Sequence, residues 1–290
     1  MKLPPFEYRC PDTVEETVAL LAEHGDEAKV LAGGQSLLPM LAMRLARPAV
    51  LIDINRVAGL SGVHVNGGVS IGALTRHRMA ERSSGLAAAA PLLTAALRWV
   101  GHDAIRTRGT VGGSVAHADP AAEVPTVLRA LDGQVVATSV RGQRTIDGAS
   151  FFQGFLTTTL EPDELLTEVR LPIHGDRTGW SFDEFSRRSG DFALVGAATV
   201  VTLGANGTIA AARISLSGVA GEPYRAIAAE ASLVGVTPDD AAFAEAAALA
   251  AAGVDPPSDL HGTAAYRKHL TGVLVRRGLK QATSRATGQS

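Results

Sequence analysis

Residues 29–37 read Lys29-Val30-Leu31-Ala32-Gly33-Gly34-Gln35-Ser36-Leu37. The run ending at Ala32 predicts a short buried strand that feeds directly into a glycine pair. Beyond the glycines, Ser36 to Leu45 predicts a helix, with Pro39 tolerated only in its first turn and Arg47-Pro48 ending it. Ahead of the strand, Thr13-Val14-Glu15-Glu16 has capping-box spacing: the threonine accepts from the N–H of Glu16 while the glutamate reaches back. Val14, Val18 and Leu21 then share one helical face, and Gly25 stops it. Ala49 to Ile54 predicts a second apolar strand. The first 55 residues thus predict an α, β, glycine turn, α, β order with two parallel neighbouring strands.

Further along, Asn66-Gly67 between alternating apolar residues predicts a hairpin over Val63–Leu74. Ala87 to Val100 predicts a helix, and Ile105 to Val111 leads into a second glycine pair, Gly112-Gly113. Asp119-Pro120 predicts an N-cap followed by a helix to Leu131, then a turn at Asp132-Gly133 into a strand over Gln134–Thr138. Leu165 to Leu171 is a further strand. From about residue 177 the pattern changes: Phe192–Leu203 and Thr208–Val219 flank a second hairpin turn at Ala205-Asn206-Gly207. Helices follow near 225–233 and 238–252, with a last one from about Ser258 carrying Tyr266, Leu270, Val273 and Leu274 at helical spacing. Strands followed by helices predict a separate α+β unit, and the terminal RATGQS is expected to fray.

Composition narrows the function. The chain has 290 residues, 46% hydrophobic and 19% charged, which suits a packed core. With 29 acidic and 27 basic residues, no polybasic surface for nucleic acid is expected. One cysteine, Cys10, excludes a disulfide framework, a four-cysteine zinc site and a self-contained iron–sulfur cluster. No apolar run is long enough for a membrane span. The opening MKLPPFEYRC has prolines and a glutamate where a signal peptide needs an apolar stretch, so a cytoplasmic protein is expected.

The two glycine pairs carry most information. A glycine turn opening into a helix presents unpaired N–H groups to an anion, and the helix dipole adds to them. Ser36 in the first turn, and Thr110 and Ser114 in the second, are candidate hydroxyl donors. Two such turns can grip the two phosphates of one dinucleotide; either pair alone reads first as a tight turn serving only the fold. Standard phosphate motifs fit poorly. There is no G-x-G-x-x-G and no P-loop lysine, so Asp53, twenty residues after Gly33, is not taken as a ribose acid. Leu38 replaces the glycine a nucleophile elbow needs after Ser36. His117 and Asp119 are weaker as metal ligands than as a helix cap, Arg187-Arg188 reads first as a solvated charged face, and His102 with Asp103 lacks a nucleophile to serve.

Four segments in order resemble a known family: Lys29 to Leu37, Arg108-Gly109-Thr110-Val111-Gly112-Gly113-Ser114, Ala116-His117-Ala118-Asp119-Pro120-Ala121-Ala122-Glu123, and Arg187-Arg188-Ser189-Gly190-Asp191-Phe192. Together, and over essentially the whole chain, they resemble the medium, FAD-binding subunit of molybdenum hydroxylases, the carbon monoxide dehydrogenase and xanthine dehydrogenase family. The resemblance implies an α+β fold: a two-subdomain FAD-binding domain of the PCMH, vanillyl-alcohol-oxidase-like type over 1–176 (subdomains about 1–57 and 58–176). A smaller C-terminal α+β domain of the carbon monoxide dehydrogenase flavoprotein type would cover 177–290.

The resemblance also assigns roles. Lys29, Val30, Leu31, Ala32, Gly33, Gly34, Gln35 and Ser36, with Thr110, Val111, Gly112, Gly113, Ser114 and Ala116, would hold FAD, chiefly its pyrophosphate. Glu123 would bond ribityl or ribose hydroxyls, and Leu166 and Phe192 would lie near the isoalloxazine. The chain departs from the family at Phe192, where tyrosine is frequent, and at Ser114, where asparagine or aspartate is common. Near Asp183 and Glu184, where a lysine often stands, there is none. No catalytic side chain or metal ligand is implied on this chain. Partners would be a small [2Fe–2S] subunit and a large molybdopterin subunit, in a dimer of heterotrimers, with FAD passing electrons to an external acceptor. The alternatives are a stand-alone FAD-dependent oxidoreductase and a nucleotide-binding assembly module without a redox role.

Overall fold

The computed structural model of the chain describes residues 2–288. The first sheet is built from β1 (Glu7–Arg9), β2 (Ala28–Leu31) and β3 (Val50–Asp53), in the order β1-β3-β2, all parallel. Helix α1 (Val14–His24) precedes β2, and α2 (Leu37–Ala42) follows the glycine loop. Thr13 caps α1 by accepting from Glu16 N–H at 3.1 Å, while the Glu16 carboxylate reaches back one residue further than expected, to the amide of Asp12. Val18 and Leu21 pack on Val50 and Ile52. Helix α2 stops short of the expected Leu45, because Arg44 turns to a positive φ of 61°.

The second unit contains β4 (Val63–Val65), β5 (Val69–Gly72), α3 (His77–Glu81), α4 (Ser84–Ala89), α5 (Pro91–Leu97), α6 (Asp103–Arg108), α7 (Val111–His117) and α8 (Glu123–Ala130). Then come β6 (Gln134–Ser139), β7 (Gly142–Asp147), α9 (Gly148–Phe151), the small ribbon β8 (Phe152–Gly154) with β9 (Thr157–Thr158), and β10 (Leu165–Leu171). The main sheet is antiparallel in the order β4-β5-β10-β6-β7. The single helix expected over 87–100 is two helices, divided where Pro91, lacking an N–H, starts α5 as its first residue. The helix expected from Asp119 begins only at Glu123. Ala118 leaves α7 in a left-handed conformation, and the Asp119 carboxylate accepts from the Ala121 amide at 2.8 Å, closing a turn in place of a cap.

The third sheet comprises β11 (Thr178–Phe185), β12 (Val195–Leu203), β13 (Ile209–Ser217) and β14 (Tyr224–Arg225), antiparallel in that order. It is followed by α10 (Ile227–Leu233), α11 (Asp240–Gly253) and α12 (Ala264–Ala286). β11 is the longest strand that sequence patterning leaves unassigned; β1, β7 and the β8–β9 ribbon are also unassigned. β12 starts at Val195, leaving Phe192 in the preceding loop. Ala198 and Val200 face the core shared with α5 and α8, whereas Ala197 and Val201 face α11 and α12. A sheet covered on both faces explains the nearly continuous burial of β12. Helix α12 begins at Ala264 after a Thr263 cap; Leu270 and Leu274 are buried, but Tyr266 and Val273 of the same expected stripe are exposed. Of the expected frayed end, Gln289 and Ser290 lie outside the described residues.

Candidate functional site

The first glycine loop behaves as a donor cradle. β2 ends at Leu31 and α2 starts at Leu37, so residues 32–36 lie outside both. Among the described residues, the amides of Gly33, Gly34, Gln35 and Ser36 have no acceptor. Gly34 holds a φ of +72°, which a side chain would strain, and Gln35 Nε2 donates to the Gly33 carbonyl at 3.0 Å. Val30, Leu31 and Ala32 behind the cradle are half-buried, and Lys29 is exposed.

The second glycine pair is not the strand-end turn the sequence suggests. Gly112 and Gly113 lie in the first turn of α7, and Thr110 is its cap, accepting from Gly113 N–H at 3.1 Å. The other amides there are also engaged: Val111 with the Thr75 carbonyl at 3.0 Å, Gly112 with Ala73 at 2.9 Å, and Ser114 with Thr110 at 3.0 Å. These glycines therefore serve close packing. A β-carbon at 112 would lie 2.6 Å from Ala73 Cα, and one at 113 would lie 2.6 Å from Thr110 Oγ1. What this segment offers a ligand is the positive end of α7 and the hydroxyls of Thr110 and Ser114, the former 2% exposed and the latter half-buried.

The two segments meet. A β-carbon on Gly33 would overlap the Arg108 carbonyl oxygen and stand 2.8 Å from Gly109 Cα, and one on Gly113 would touch Ala32 Cβ at 3.6 Å. Beneath the contact lies a polar network that sequence reading missed. Asn55 Nδ2 donates to the Ala32 carbonyl at 2.9 Å, Arg76 Nη2 donates to Asn55 Oδ1 at 2.6 Å, and Arg76 Nη1 donates to the Arg108 carbonyl. Asp53 accepts from Tyr8 Oη at 2.8 Å and from the Asn55 amide at 2.9 Å. Burial opposes its ionisation, but these hydrogen bonds outweigh that and hold its carboxyl below the usual range.

Glu123 opens α8 and is 8% exposed. Burial pushes its carboxyl up to about 7, with the Asp119 charge adding to the rise. At neutral pH it can therefore both donate and accept, as sugar hydroxyls require. Glu184 of β11 is a second buried acid, and its Oε2 has no hydrogen-bond partner among the described residues. Burial first, and then the charge of Glu123, push it up to about 9. No local pattern marked it, because its strand was not recognised.

Leu166 is 5% exposed and shares a core with Val111 and Val115, so only its rim is open to a ligand. Phe192 is 65% exposed. Its loop rests on the second unit at His102, whose ring occupies the space a side chain on Gly190 would need. Between them lies a cleft of about 310 Å³ bordered by Arg98, Trp99 and Gly101 on one side and by Glu184, Arg187 and Arg188 on the other. Ala116 is exposed on α7. The remaining candidates find other roles: Asp103 pairs with Arg78 at 3.2 Å and with Arg106, and Arg187 bonds His261 at 3.1 Å.

A bare-amide loop pressed against a helix start, with a buried acid one helix further on, suits a ligand bearing a diphosphate and sugar hydroxyls, the class of ligand a dinucleotide-binding protein takes. Comparison with known proteins specifies which. The profile described as the FAD binding domain in molybdopterin dehydrogenase matches residues 4–174, and the carbon monoxide dehydrogenase flavoprotein C-terminal domain matches 180–282. The chain is 44% identical to the 6-hydroxypseudooxynicotine dehydrogenase complex subunit alpha of Paenarthrobacter nicotinovorans, over 99% of this chain and 97% of that protein. It is 42% identical to the nicotine 6-hydroxylase medium subunit of the same organism, over 98% and 100%. Among solved structures, carbon monoxide dehydrogenase from Hydrogenophaga pseudoflava matches with a TM-score of 0.95 at 40% identity, covering 98% of this chain and 99% of that one. Quinoline 2-oxidoreductase from Pseudomonas putida 86 matches with a TM-score of 0.92 at 39% identity, covering 100% and 99%.

The chain belongs to the FAD-binding medium subunits of the molybdenum hydroxylases, the family of carbon monoxide and xanthine dehydrogenases. Its cofactor is FAD, and it is an oxidoreductase subunit of the multi-subunit kind. No helix among the described residues is long and apolar enough to cross a membrane.

Proposed function

We propose that this chain is the electron-transfer subunit of its complex, standing between the [2Fe–2S] clusters of a small partner subunit and an external acceptor. A large molybdopterin subunit would complete a heterotrimer, and two heterotrimers a dimer. Bound FAD supplies the redox chemistry; this chain's residues bind it, orient it and shield it. The FAD-binding domain is taken as 1–176, with its subdomains dividing near 57, and the C-terminal domain as 177–290. The observation that carries the site assignment is the contact between the two glycine segments, with the amides of Gly33 to Ser36 open beside it.

On this reading the cradle at Lys29–Ser36 takes the pyrophosphate, together with the start of α7 from Thr110 to Ser114 and Ala116. Glu123 bonds the ribityl or ribose hydroxyls. The Leu166 rim and the exposed Phe192 ring flank the isoalloxazine. The single cysteine suits a reducing, cytoplasmic setting.

The test is co-purification with absorbance. A yellow chain held in a stable complex with an iron–sulfur subunit and a molybdopterin subunit is the expected result. Turnover of an organic substrate by this chain alone would overturn the subunit reading in favour of a stand-alone oxidoreductase. A chain that stays colourless in excess FAD would overturn the redox role.

A further inference from the structure

Asn55 and Arg76 lie outside both glycine segments, yet one joins the other across the gap between them. Asn55 follows β3 in the first sheet; Arg76 precedes α3 in the second unit. The Ala32 carbonyl, which Asn55 holds at 2.9 Å, belongs to the residue just before Gly33. The Arg108 carbonyl, which Arg76 holds, belongs to the peptide on which Gly33 rests. The 2.6 Å bond from Arg76 to Asn55 closes the link. Both side chains are half-buried, and the Asn55 Nδ2 also donates to Asp53 Oδ1 at 2.5 Å, an acid that Tyr8 holds from β1. Arg76 also forms a backbone bridge with Thr110, the cap of α7.

The chemistry requires these residue types. An amide side chain can donate to a carbonyl and accept from a cation at once. A planar guanidinium can reach two acceptors in fixed directions, which an ammonium on a flexible stem cannot. The packing of Gly33 on residues 108–109 limits how close the segments come. Leu74 and Leu165 pack into the core of the first unit and hold the two units together, and the Asn55–Arg76 bond adds a directional tie at the segments themselves. We propose that Asn55 and Arg76 are positioning residues for FAD, a clamp that sets the spacing of the two glycine segments and so the geometry of the pyrophosphate site. This rests on the assignment of those segments to the pyrophosphate.

The test is titration of FAD into the flavin-free full chain, for the wild type, Arg76→Lys, Asn55→Ala and the double variant. Fluorescence quenching gives the dissociation constant, visible circular dichroism the setting of the bound flavin, and heat unfolding of the flavin-free chain its stability. Each single variant is expected to bind at least about tenfold more weakly. The double variant should fall within about twofold of the weaker single, because both changes break one link. The dichroism of the bound flavin should change at saturation. Single variants that bind within about twofold of wild type overturn the clamp, as do multiplicative losses. A loss of affinity that follows a lowered unfolding midpoint, with native dichroism when saturated, also overturns it in favour of a purely structural role. Gly34→Val separates the two ideas: if it binds FAD like the wild type, the cradle assignment fails whatever the clamp variants do.

Discussion

Gly33 lies directly on Gly109: a β-carbon at residue 33 would stand 2.8 Å from the Gly109 α-carbon, with no flexible side chain between them to yield. Residues 76 positions apart in the chain thus bring a strand end and a helix start into contact. Gly33→Ala must push the two backbones apart. It is expected to weaken FAD by at least about tenfold while leaving the three sheets folded. Fluorescence titration and far-UV circular dichroism check both halves; wild-type affinity would show that the spacing is immaterial.

Gly34→Val should abolish FAD binding. Gly34 has a φ of +72°, and its β-carbon would come within 3.1 Å of the Leu38 and Leu31 side chains, so a β-branched residue distorts the open-amide loop itself. Retained stoichiometric flavin in the purified variant would contradict the cradle.

Glu123→Ala should weaken FAD less than Gly34→Val, since one hydrogen-bonded contact is worth about 1–3 kcal/mol. An unchanged dissociation constant would remove Glu123 from the site.

The acid pair makes stability depend on pH. Burial raises Glu184 to about 9 and Glu123 to about 7, above the ordinary carboxyl value near 4.5. Between the ordinary and raised values the folded chain binds more protons than the unfolded one, so stability falls as pH rises. Burial pushes His77 down to about 4 and lowers His117 and His174 as well, which works in the opposite direction, but that contribution is complete by about pH 7.5, one unit above the ordinary imidazole value. From pH 7.5 to 8.5 the unfolding midpoint of the flavin-free chain should drop by at least about 2 °C. Glu184→Gln should remove most of that drop. A flat profile in the wild type would mean that these carboxyls are hydrated.

Phe192→Ala should leave the flavin-free chain as stable as wild type, because the ring is 65% exposed and packs on little. It should shift the visible absorption bands of bound FAD. Identical spectra would place the isoalloxazine elsewhere.

Much of the fold was legible because local rules dominate where chain neighbours do the work. The Thr13 cap, the Asn66-Gly67 and Asn206-Gly207 hairpins and the strand Leu165–Leu171 all follow from residues adjacent in sequence. Reading failed where a single residue or a distant partner overrode the pattern. Pro91 split one apolar helix into two, and the Asp119 carboxylate closed a turn rather than capping a helix. β11 went unrecognised because its burial is set by β12 and α12 rather than by its own alternation.

The sequence by itself marked which segments are chemically special: glycines where a backbone must come close, and hydroxyls beside them; Glu123 stood out only through the family resemblance. Tertiary structure decided how each is used. Four consecutive open amides lie in the 33–36 loop, whereas Thr75, Ala73 and Thr110 take those of 111–114. Likewise Asn55, Arg76 and Glu184 acquire meaning only from carbonyls and carboxyls far away in the chain. Hydrogen bonding and desolvation act over a few ångströms of space, and residues remote in sequence share that space only once the sheets have packed.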